Sequence, residues 1–107
     1  MSIGPSSLGF IAVSSSGTPV QLSSTSLRVR KLRIQPRKNA TTVNTGNVYI
    51  GTHSLNFSTN TGIFAVLSPE QTEAVYIDAP IGQDIDLSLW YVDADNSNDA
   101  VLVSYSA

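Results

Sequence analysis

The chain reads as all-β: an antiparallel β-sandwich, jelly-roll-like, built from about eight short strands. Three observations lead there. Val, Ile, Thr, Ser and Asn are abundant where an exposed helix would need Lys, Glu and Ala. Short apolar runs recur roughly every 8–12 residues with Gly, Pro, Asn and Ser between them, the spacing of a sandwich or barrel. No longer self-similar period is visible, which removes solenoids and propellers.

The elements follow in order. Residues 1–17 are rich in Ser and Gly around the apolar patch Leu8–Val13, and read as an N-terminal arm or an edge strand. Residues 18–107 read as a single β-sandwich domain. A Thr18–Pro19 turn leads into a short strand, Val20–Leu22. Leu27 and Val29 then alternate with Arg28 and Arg30, the period of a half-buried strand. Lys31 shifts that alternation by one residue to Leu32 and Ile34, which predicts a β-bulge. The apolar side chains then all face inward, with Arg28, Arg30 (or Lys31) and Arg33 outward. Pro36 ends this strand, and Arg37 and Lys38 enter a polar loop. Asn47–Gly51 is a strand, and His53–Gly62 reads as a polar excursion with Leu55 and Phe57 as anchors.

Ile63–Leu67 (IFAVL) is apolar on both faces, which predicts a strand covered on both sides, by the core and by a second surface. Ser68–Pro69–Glu70 turns into a strand at Glu73–Ile77. Ile85, Leu87, Leu89 and Tyr91 keep a period of two, with one helical turn over Ser88–Tyr91 as the alternative. Asp93–Asp99 is a loop, and Ala100–Tyr105 is the last strand.

Composition narrows the function. A 107-residue chain is the size of one domain, and 41% hydrophobic residues suffice for one core. Only 13% of residues are charged, a surface better suited to cover by neighbours than to free dispersal. The chain has no cysteine, so disulfides and thiolate metal sites are excluded. The N-terminus lacks the basic region of a signal peptide, and no segment reaches membrane-spanning length.

Charge is segregated along the chain. All six Lys and Arg residues lie between Arg28 and Lys38, and all eight acidic residues between Glu70 and Asp99. Arg28, Arg30, Lys31, Arg33, Arg37 and Lys38 are therefore the candidate interface residues. Six cations on a strand and its loop could grip phosphates. Nucleic-acid-binding sheets, however, interleave aromatics with the cations for base stacking, and this block has none. Charge complementarity with an acidic protein surface is the preferred reading. A solvated strand face is the bland one, since exposed ion pairs are worth little.

Catalysis has little to work with. His53 is the only histidine, without a cysteine or a nucleophile-elbow motif, and reads as a surface residue rather than a general base. No enzyme activity and no cofactor are expected. Asp93, Asp95 and Asp99 alternate like the first half of a calcium loop, but Asn98 and Ser104 stand where Gly and Glu belong. An Asx-rich turn is the simpler account, with calcium the minor option. Trp90–Tyr91 could serve as a sugar-stacking platform, although a sandwich Trp is more often core or interface.

The segments LRVRKLRIQ, TGNVYIG, a loop ending TGI, LSPEQT and DIDLSLWYVDA occur in that order over residues 27–105. This order resembles small β-rich proteins of tailed-bacteriophage structural modules. In that group a strand like Leu32–Gln35 precedes one like Asn47–Gly51. A turn like Leu67–Glu70 then leads to a segment like Asp86–Ala94. The resemblance implies a non-enzymatic virion protein, a capsid decoration (cement) protein on the capsid exterior. Its implied partners are the major capsid protein and copies of itself, as a trimer. It brings no catalytic residues and no role for the basic strand. The alternatives are a tail- or fibre-associated carbohydrate-binding module, and a nucleic-acid binder using residues 28–38.

Overall fold

A computed structural model describes residues 6–37, 44–69 and 74–106. Among them there is no α-helix, and all strand pairings are antiparallel. Ten strands occur where about eight were expected: β1 (Ser6–Ala12), β2 (Val20–Gln21), β3 (Arg28–Val29), β4 (Lys31–Pro36), β5 (Val48–Asn56), β6 (Thr61–Leu67), β7 (Val75–Asp78), β8 (Ile85–Asp86), β9 (Tyr91–Ala94) and β10 (Ala100–Ser106). One four-stranded sheet, here sheet A, has the order β1-β10-β4-β7, and a second, sheet B, the order β2-β9-β5-β6. The additional pair, β3 with β8, is a two-stranded ribbon. This arrangement is compatible with a β-sandwich.

One hydrophobic cluster joins the sheets. Leu32, Ile34, Val101 and Val103 come from sheet A, and Val48, Ile50, Leu67, Val92 and Ala94 from sheet B. The ribbon adds Val29 and Ile85, and the connecting segments add Val13, Leu22 and Leu87. In β4 and β10 the alternation of buried and half-exposed positions is that of strands with one face on a core. Burying so many Val, Leu and Ile side chains, at about 1.5–3 kcal/mol each, is the main favourable term.

Four local expectations change. The segment Leu27–Ile34 keeps its apolar residues inward but is not one bulged strand. It breaks at Arg30: Arg28–Val29 pairs with β8, whereas Lys31–Pro36 pairs with β10 and β7. Arg30 donates its N–H to the Ser106 carbonyl at 2.9 Å and accepts from Ala79 N at 2.8 Å. The extra residue therefore moves the chain from one sheet to another.

His53 lies within β5 rather than in a long excursion, and only a tight turn separates Asn56 from Thr61. The hairpin bends sharply beside Gly51, where an added Cβ would come within 1.8 Å of the Gly62 carbonyl oxygen. Gly62 itself has φ +67°, a conformation L side chains rarely adopt.

β6 is covered on one side only. Leu67 is fully buried, but Phe64 is 57% and Val66 46% exposed. Phe64 and Val66 take the face opposite Ile63, Ala65 and Leu67, and among the described strands β6 ends sheet B with β5 as its neighbour. Finally, the period of two fails after Leu87, because Leu87–Leu89 forms a 3₁₀ turn capped by Asp86, which leaves Leu89 on the surface. β1 is one of the two edge strands of sheet A, running from Ser6 opposite Tyr105 to Ala12 opposite Ala100. The expected strand at Glu73 begins at Val75, and Glu70 and Glu73 lie outside the described residues.

Candidate functional site

β4 decides where the cations go. Its buried residues are Leu32, Ile34 and Pro36, so Lys31, Arg33 and Gln35 take the outer face of sheet A. Register then sets their neighbours. Lys31 sits between Ser106 on β10 and Asp78 on β7, and Arg33 between Ser104 and Tyr76. The short serines leave the sheet surface low beside the long side chains of β4 and β7. The result is a hollow of about 380 Å³ whose polar lining is Lys31, Arg33, Tyr76, Asp78, Ser104 and Ser106, with Leu32 and Tyr105 also in its wall.

Arg33 is held in place within it. Its Nε donates to the Tyr76 hydroxyl at 3.2 Å, and its guanidinium carbon lies 5.9 Å from the Tyr76 ring centroid. That contact combines a hydrogen bond with a cation–π attraction. Among the described residues, neither Lys31 nor Arg33 has a carboxylate oxygen within 4.0 Å.

The other cations of the block go elsewhere. Arg28 leaves with β3 and forms an exposed ion pair with Asp84 at 3.5 Å. Arg30 is exposed at the break between β3 and β4. Arg37 lies roughly 20 Å along the strand from Lys31, where its Nη2 donates to the Asn98 carbonyl at 2.9 Å. Lys38 lies outside the described residues. Thus the structure brings Lys31 and Arg33 together and places Arg28, Arg30 and Arg37 elsewhere.

The expected loop at Asp93 begins only after Ala94, because Asp93 belongs to β9, and the three carboxylates have separate tasks. Asp93 is buried, and its Oδ1 accepts from Gly17 N at 3.0 Å and Ala94 N at 2.8 Å. Asp99, also buried, accepts from Thr45 N at 3.0 Å and Gly46 N at 2.9 Å. Exposed Asp95 accepts from the Tyr49 hydroxyl at 2.7 Å. Burial, followed by that hydrogen bond and the Asp95 charge, raises the Tyr49 pKa above its ordinary value. The three carboxylates are thus engaged by different donors, and no cluster of three metal-ligating side chains occurs among the described residues.

His53 is exposed, with Ser54 Oγ at 3.4 Å from Nε2. It lines a second hollow of about 640 Å³ together with Gln21, Thr52, Ser88, Leu89 and Tyr91, none of which is acidic. Trp90 is half-buried against the core and meets Phe64 edge-to-face, ring centroids 5.1 Å apart. Its ring is therefore engaged by protein rather than laid open as a platform.

Sequence reasoning missed Tyr76, Ser104 and Ser106, because only cross-strand register places them beside Lys31 and Arg33. The alternation of Tyr76 and Asp78 in the run VYID was the one available signal. No family model, curated protein or solved structure matches the chain.

Proposed function

We propose that this chain is a virion structural protein of the capsid-decoration kind, which acts on the capsid exterior by binding the major capsid protein and its own copies, as a trimer, without catalysing a reaction. The observation that carries this reading is β6. It is a seven-residue edge strand without a charged residue, and it exposes Phe64 and Val66 beside the half-buried Trp90. Edge strands of independent proteins are usually blunted by Lys, Pro or inward charges, because an open neutral edge templates association. A strand of this composition is suited to cover by a neighbour.

Strand order supports the companion reading of a jelly roll. Without the two-residue ribbon, eight strands remain. In chain order they run first–eighth–third–sixth in sheet A and second–seventh–fourth–fifth in sheet B. Two interleaved Greek keys produce that order, and the architecture recurs in viral capsid domains and also in lectins. Fold analogy alone does not assign function. The exposed apolar edge is what favours a contact-making role.

The test is the mass of the purified protein in solution together with its co-sedimentation with expanded phage capsids. A multimeric mass and capsid binding are expected, with Phe64→Ser/Val66→Ser lowering one or both. A monomer that ignores capsids, or a double variant unchanged in both assays, overturns the reading. Multivalent display makes even modest loss per contact visible as a large loss of attachment.

A further inference from the structure

We propose that the hollow on the outer face of sheet A is a recognition site for the carboxylates of an acidic, extended protein segment. The inference deepens the contact-making role above, and rests on it for the kind of partner. Its surface is largely apolar, with Leu32 and Tyr105 in the lining, and its polar groups are mostly hydrogen-bond donors. Lys31 and Arg33 contribute two cations, and Tyr76, Ser104 and Ser106 add three hydroxyls. Asp78 is the single acidic member of the lining.

Arg33 is the centre of the site. Its Nε is already bound to the Tyr76 hydroxyl, which orients the guanidinium and leaves both Nη groups to meet a carboxylate. A planar fork fixed in this way loses little side-chain freedom on binding and suits two-point recognition. Tyr76, 68% exposed, gives the rim a large amphipathic surface that would become covered on docking. Lys31, one register step away, is placed for a second carboxylate two residues further along an extended chain.

The same features disfavour the other anionic or polar ligands. A nucleic-acid strand needs several phosphate contacts, and only two cations stand here. A neutral sugar could stack on the exposed Tyr76 ring but would leave the charges of Lys31 and Arg33 unmatched. An acidic peptide uses both cations and leaves Asp78 on the rim.

The experiment uses the full chain, isotope-labelled, titrated with an acetylated (Gly-Glu)₃ peptide and its (Gly-Gln)₃ counterpart while backbone amide shifts are followed. The acidic peptide is expected to bind with shifts centred on Lys31, Arg33, Tyr76, Ser104 and Ser106. The neutral peptide should bind at least roughly tenfold more weakly, as should the acidic one to Arg33→Gln or, separately, to Lys31→Gln. Binding should also weaken with added salt. Equal binding of the two peptides overturns the proposal, as do shifts centred elsewhere. Tighter binding of a thymidine dodecamer or a uronate oligosaccharide at these residues overturns it too. If the peptide fails while capsid co-sedimentation persists, the site is wrong and the decoration role stands. If the peptide binds as expected but neither capsids nor copies are bound, the site stands and the decoration role falls.

Discussion

Asn44 shows how much of this small domain rests on single polar side chains. Its Nδ2 donates to the Ala100 carbonyl at 2.7 Å and its Oδ1 accepts from Ala100 N at 2.9 Å, so the side chain takes both main-chain groups of one residue. Asn44 is itself buried, and Asp99 beside it holds Thr45 and Gly46. Asn44→Ala leaves the Ala100 N–H unpaired, while the Ala100 carbonyl still accepts from Arg37 N at 3.0 Å, and is expected to cost about 1–3 kcal/mol, read as a lower urea midpoint with an unchanged slope. Ser58→Ala, at an exposed turn position, should leave the midpoint in place. Asp86 supplies a second residue-scale prediction. Hydrogen bonds from the Ser88 hydroxyl, the Ser26 hydroxyl and Ser88 N–H pull its pKa down to about 2 from an ordinary 3.8. A depressed folded-state pKa stabilises the fold above 3.8, and that contribution fades as pH falls toward 2. Asp86→Asn should therefore flatten the stability–pH curve in that window, measured by denaturation at successive acid pH values.

Among the elements, the β5–β6 hairpin is the most constrained and the most consequential. Its sharp bend needs Gly51, because a methyl group there would overlap the Gly62 carbonyl oxygen. Gly51→Ala is expected to destabilise by roughly 3 kcal/mol, near the upper end of single substitutions, seen as a several-degree fall in melting temperature. Ala65→Gly, on the neighbouring strand, has no such overlap to create and should cost about 1 kcal/mol. The bend also brings Phe57 back onto Tyr49, their rings stacked with centroids 4.9 Å apart. β4 makes the opposite point about sequence neighbours. Arg28, Arg33 and Arg37 are close in the chain, yet they meet Asp84, Tyr76 and Asn98 at three separate places.

Across the whole molecule the two sheets present different chemistry. The strands of sheet A carry Lys31, Arg33 and Asp78, whereas the only Asp, Glu, Lys or Arg in the strands of sheet B is the buried Asp93. One broad side thus carries charged side chains, whereas the strands of the other carry exposed apolar ones at Phe64 and Val66. The decoration role proposed above would use both kinds, one toward a shell and one toward its own copies. The assignment of each face to a partner is what the peptide titration and the capsid co-sedimentation decide between them. Closure of the domain is equally global: β10 pairs with β1 and β4 together, so the two ends of the described chain meet in one sheet. Such long-range pairing is formed late and slowly in folding.

The sequence by itself determined the all-β class, the antiparallel character and the inward parity of Leu27, Val29, Leu32 and Ile34. These are properties of a strand and its period of two, and each strand carries them locally. The capping turn at Leu87–Leu89 was legible only as an alternative, because Asp86 works through its two serine partners, and Ser26 is distant in the chain. Tertiary structure alone decided that the basic segment changes sheets at Arg30 and that the loop carboxylates bind backbone amides. It alone left β6 at an open edge and gathered Lys31, Arg33, Tyr76, Ser104 and Ser106 into one hollow. The physical reason is the same in each case. Alternation tells which way a side chain points, but only the hydrogen-bonded register between distant strands tells what stands beside it.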